Sequence, residues 1–183
     1  MTPTNKIKTD TKRRLAEASK RTAEIYKHVG CLSTHFAGLE LTLLKLLMKM
    51  INPNEPNRAE KALSQMSFRQ TVDAFRQTVA ERILDSEAVK EAASLGERLL
   101  KAATNRNDII HSSWLAYSTG DFCQHRARAK GKKRLENQIH TKNPVKHIEE
   151  VTDTIYALIF DLACFEDKIE KENVEQKIPA DAG

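Results

Sequence analysis

The chain has 183 residues, 40% hydrophobic but only 5% aromatic, enough for one domain with a largely aliphatic core and too few to expect two. Its formal net charge of +5, from 30 Lys and Arg against 25 Asp and Glu, permits a polyanionic partner without establishing one. Thr42, Lys45 and Lys49 interrupt the longest apolar run, 41–51, and no apolar stretch follows the early cations Lys6, Lys8, Lys12, Arg13 and Arg14, so neither a membrane span nor a secretory signal is expected.

A cytoplasmic location without membrane association follows by default. Cys31, Cys123 and Cys164 are odd in number and widely spaced, which fits reduced structural thiols. Cys123 and His125 could chelate, but no second pair lies nearby, and no metal site or cofactor is expected. A glycine-rich phosphate loop is missing, which argues against a nucleoside triphosphatase.

Residues 1–10 are polar and without period, and read as a flexible lead-in to a single helical domain over 11–172; 173–183 read as a flexible tail. Ile25, Val29, Leu32, Phe36, Leu39, Leu43, Leu46 and Met50 alternate spacings of four and three, the stripe of a long first helix. Gly30 and Gly38 inside it suggest a bend or a close helix approach. Asn52-Pro53-Asn54-Glu55-Pro56-Asn57 is the clearest loop, followed by a short helical piece over about 58–65. Ser67 and Gln70 fit a capping box for a second helix with Phe68, Val72, Phe75 and Val79 on its apolar side. Asp85 or Ser86 caps a third, whose stripe is Val89, Ala92, Leu95, Leu99 and Ala102.

Between that helix and the last one the helical period is lost. Trp114 to Ser118 and Phe122 to Lys130, around Thr119-Gly120-Asp121, read as a small β-hairpin or a basic loop. Arg126, Arg128, Lys130, Lys132, Lys133 and Arg134 crowd there, opposed by Asp121 and Glu136, and are candidate nucleic-acid-binding residues or simply a solvated loop. Asn143 and Pro144 open the last helix, striped by Ile148, Val151, Ile155, Leu158, Leu162, Phe165 and Ile169. The expected fold is all-α: an up-and-down four-helix bundle with this hairpin or loop inserted between helices three and four.

The one stretch that carries chemistry is 103–114, at the end of the third helix. Arg106 continues the spacing of Leu99 and Ala102, so a guanidinium falls on or beside a stripe meant for burial and needs a partner or a function. Asn107 and His111 share a stripe, whereas Arg106 and His111 stand roughly 140° apart on an ideal helix. Either the last turn unwinds near Ser112 and Ser113, or a second copy supplies the other half of a site. A plainer alternative makes both residues cations placed favourably against the helix dipole. Trp114 reads as a packing residue rather than a base-stacking platform. Ser112 and Ser113 follow a histidine without the strand-turn-helix elbow of a serine hydrolase.

An arginine followed after four to six residues by a histidine is a loose pattern, also met by Arg21 with His28 and by Arg134 with His140. Only Arg106-Asn107-Asp108-Ile109-Ile110-His111 adds a polar residue after the arginine and a position at the end of the third helix. That combination resembles the HEPN superfamily, from about Thr22 to Lys171 in order of helices and at Arg106, Asn107 and His111 residue by residue. The resemblance implies a homodimer with two motifs lining one cleft. It also implies a metal-independent endoribonuclease of toxin or antiphage-defence type, with RNA as substrate and an antitoxin or partner defence protein as a further candidate partner. The alternative is a non-catalytic HEPN-like subunit that binds nucleic acid or nucleotide, or serves as a scaffold.

Overall fold

The computed structural model describes residues 3–52, 54–55, 60–61, 63–83, 85–116, 122–130, 133–141 and 143–175. Among them the chain is mostly helical, in the order α1 (Pro3–Ile51), α2 (Phe68–Arg82), α3 (Ser86–Ile110), β1 (Ser113–Ala116), β2 (Phe122–Lys130), β3 (Lys133–Thr141) and α4 (Pro144–Glu175). The helical stripes read from the sequence are largely the buried ones, with Phe68 partly exposed and Ala88 buried where Val89 was expected. In α4 all seven predicted positions from Ile148 to Ile169 are buried, and in α1 Val29 and Met50 alone of the eight are partly exposed.

The helix starts follow from side chains that satisfy the first unpaired N–H groups. Ser67 and Gln70 form the expected capping box of α2, with Ser67 N–H donating to Gln70 Oε1 at 2.8 Å. Asp85 caps α3, accepting from Glu87 N–H at 3.1 Å and Ala88 N–H at 3.0 Å. Those two backbone donors hold the Asp85 carboxyl below its ordinary pKa. Asn143 Oδ1 accepts from Lys146 N–H at 3.1 Å and opens α4. The far end of α1 is capped from another helix: Arg82 Nη1 donates to the carbonyls of Met50 at 2.7 Å and Ile51 at 3.1 Å.

Several expectations are corrected. The lead-in expected over 1–10 is helical from Pro3, because polar residues without an apolar stripe can still continue a helix that starts before its packed part. Of the tail expected over 173–183, residues 173–175 belong to α4, which runs to Glu175, and the rest lies outside the described residues. Instead of a two-stranded hairpin, the segment after α3 holds a three-stranded antiparallel sheet in the order β1-β2-β3. The third strand was read as basic loop because its charges hide any alternation. Ser118 and the turn 119–121 lie outside the described residues, as do parts of the 52–57 loop and of the 58–65 piece.

The glycines also differ from the reading. A methyl group at Gly30 would meet nothing within 4 Å, and at Gly38 only Ile159 Cδ1 at 3.8 Å. Neither marks a close approach. Gly96 does: a methyl there would come within 2.5 Å of Arg76 Cδ.

The described residues fall into two compact units, those within 1–34 and 105–152, and those within 35–104 and 153–183. The boundary falls inside α1, α3 and α4, a division invisible to stripes that continue across it. The first unit buries Ile25, Leu32, Ile109, Trp114, Ile148 and Val151, and holds His28 Nδ1 3.6 Å from Glu149 Oε1. The second is built on Phe36, Leu43, Phe75, Leu99, Leu158 and Phe165. Its ring pairs Phe36 with Phe68 at 5.0 Å and Phe75 with Phe165 at 5.6 Å, the latter edge to face. Arg98 with Asp161 and Lys49 with Glu166 form ion pairs at its surface.

One described helix, α1, contains over Asp10–Ile51 a window long and apolar enough to cross a membrane by length and composition. The sequence reading had set this aside on account of the interrupting lysines. Of that window 39% is buried inside the fold, where Leu43, Leu46 and Leu47 serve as core.

Candidate functional site at the end of the third helix

Residues 105–111, all in the first unit, form the last turn and a half of α3 and the residue after it. The helix does not unwind before the histidine. His111 N–H donates to the Asn107 carbonyl at 3.1 Å, a full helical bond, and only Ser112 N–H tightens onto Ile109 at 3.3 Å. The loosening that could have swung His111 towards Arg106 comes one residue late. Their angular separation of roughly 140° therefore stands.

Arg106 is half-buried, and its Nη1 donates to Asn107 Oδ1 at 2.9 Å. Its Nε is buried and donates to no acceptor among the described residues. His111 is exposed. Although Asn107 shares a stripe with His111, the carbonyl oxygen of its side chain is engaged by the guanidinium. Spacing arguments overlook such a pair, because neighbours i and i+1 do not face each other on a helix and only a side chain as long as arginine can reach round. The bond aligns the fork of Arg106 and leaves the Asn107 amide nitrogen as a donor.

The turn behind the motif is held from within. Ser112 is buried and its hydroxyl donates to the Asp108 carbonyl. Trp114 is 2% exposed, and its Nε1 donates to the Ile109 carbonyl at 3.3 Å. With its face covered, Trp114 is a packing residue, as read from the sequence. It ties β1 to the end of α3.

Of the six basic candidates, Arg126, Arg128 and Lys130 stand in β2 and Lys133 and Arg134 in β3, while Lys132 lies outside the described residues. They share the unit that holds the motif. The register joins Arg126 to Asn137, Arg128 to Leu135, Ala129 to Arg134 and Lys130 to Lys133. Of the other two spacing matches, Arg21 with His28 has its histidine beside Glu149 across α1 and α4.

No family model matches the chain, and neither the curated proteins nor the solved structures offer a significant match.

Proposed function

We propose that the chain is a metal-independent endoribonuclease of HEPN type, acting as a homodimer. One observation carries the reading: a half-buried arginine, tied to its asparagine neighbour on the last turn of α3, precedes an exposed histidine at the helix end. A guanidinium fixed in this way offers a permanent cation to the charge that develops on a phosphate under attack. An exposed imidazole can activate the ribose 2′-hydroxyl or protonate the leaving 5′-oxygen. Asn107 aligns the guanidinium and donates its amide to a phosphate oxygen. The products are a 2′,3′-cyclic phosphate and a 5′-hydroxyl, and DNA, lacking the 2′-hydroxyl, resists cleavage.

Because Arg106 and His111 diverge on one helix, the site is completed by a second copy, with Arg106, Asn107 and His111 of both chains in one cleft. The four helices are read as an up-and-down bundle, and the basic strands hold the RNA. The burial of apolar side chains along α1 supports a cytoplasmic rather than a membrane location. The role is that of a toxin or antiphage-defence nuclease, restrained by an antitoxin or working with a partner defence protein.

The test is RNA cleavage by purified protein in excess chelator. His111→Ala is expected to lower the rate by at least about a hundredfold, the scale of general acid-base catalysis; full activity in that variant refutes the role. The Arg106–Asn107 bond also suits a second reading, a non-catalytic HEPN-like subunit in which the motif stabilises the helix end. That reading predicts salt-sensitive RNA binding without turnover, indifferent to His111.

A further inference from the structure

The sequence lumps six cations into one basic stretch, and the register separates them. In an antiparallel ladder, cross-strand partners share a face and successive residues alternate between faces. Positions 126, 128 and 130 of β2, with 133, 135 and 137 of β3, therefore fall on one face of the ribbon. That face carries Arg126, Arg128, Lys130 and Lys133 and no carboxylate at these positions. On the opposite face Arg134 is accompanied by Glu136. The net charge of the ribbon sits on one side.

The row also has a period and a starting point. Alternate residues of a strand recur about every 6.7 Å, close to the separation of successive phosphates along an extended nucleic-acid strand. Ser113 pairs with His125, so position 126 is the first rung beyond the point where β1 leaves the sheet. Two residues back from Ser113 stands His111. Chain geometry then keeps the His111 Cα within roughly 13 Å of the His125 Cα. The row of cations therefore starts within reach of the last residue of the motif.

We propose that this face of β2 is a track for the backbone of a single RNA strand. Arg126, Arg128 and Lys130 each meet one of three successive phosphates. The assignment rests on the nucleic-acid reading above and adds the face and the strandedness to it.

The test uses full-length His111→Ala protein, so that the probe survives, and a fluorescently labelled single-stranded RNA titrated at several salt concentrations. Each phosphate contact contributes about 0.7 to the slope of log affinity against log salt for a single strand. Arg128→Gln is expected to flatten the slope by about 0.7 and the triple variant Arg126→Gln, Arg128→Gln, Lys130→Gln by about 2, while Arg128→Lys and Arg134→Gln leave it in place. Equal effects of Arg134→Gln and Arg128→Gln overturn the track, as does an unchanged slope in the triple variant. Binding to anionic vesicles with indifference to RNA also overturns it. Loss of catalysis alone does not touch it: a wild-type protein that cleaves nothing in chelator yet shows these slopes keeps the track and loses the nuclease.

Discussion

A guanidinium bonded to the side chain of the next residue is a small device with a measurable consequence. Arg106 Nη1 gives one of its charge-assisted hydrogen bonds to Asn107 Oδ1, half shielded from water. Bonds of this kind contribute about 1.5–3 kcal/mol when both partners are present. Asn107→Ala is expected to cost about 1–2 kcal/mol in urea unfolding and to slow RNA cleavage by about tenfold, because the fork loses its alignment. Asn107→Asp separates the two effects: it keeps an acceptor, so stability returns, but its carboxylate neutralises the cation and cleavage stays low. Equal recovery of stability and activity in Asn107→Asp would argue that Arg106 acts only structurally. The identity of these residues was legible in the chain, since an arginine on a buried stripe stands out against Leu99 and Ala102. Their pairing was not, because it depends on how one long side chain folds back across the helix.

Among the elements, local chemistry was read most reliably where a side chain satisfies backbone groups of its own segment. The Ser67–Gln70 box and the Asp85 and Asn143 caps require nothing from the rest of the molecule. The Asp85 cap has a pH signature. Backbone donation from Glu87 and Ala88 depresses its folded pKa, so its contribution is fully present above the unfolded carboxyl pKa of about 3.9 and is lost as pH falls through the folded value. In urea unfolding, the stability gap between wild type and Asp85→Ala is expected to hold from neutrality down to about pH 5 and to shrink between there and pH 2. A gap that does not change with pH would show that the carboxylate charge plays no part in the cap. Strand β3 marks the opposite extreme. Its residues 133–141 have neither a strong alternation nor a turn of their own that demands pairing, and they become a strand through their ladder with β2.

For the whole molecule, the divergence of Arg106 and His111 on a helix intact through His111 is the reason the proposed nuclease draws on a second copy. Mixing inactive Arg106→Ala and His111→Ala proteins then has a defined outcome. If each site takes its arginine from one chain and its histidine from the other, half the dimers carry one intact site of two, and activity returns to about a quarter of wild type. No recovery after subunit exchange would place both residues of a working site on the same chain. What the sequence determined by itself are the periods of the helices, the caps that begin them and the segment where chemistry is concentrated, because each is set by residues within a few positions of one another. Tertiary structure decided the third strand, the face on which the ribbon gathers its charge, the partner of Asn107, the close approach at Gly96 and the division of long helices between two compact units. All of these arise where residues distant in the chain, or side chains longer than their spacing implies, come to occupy the same space.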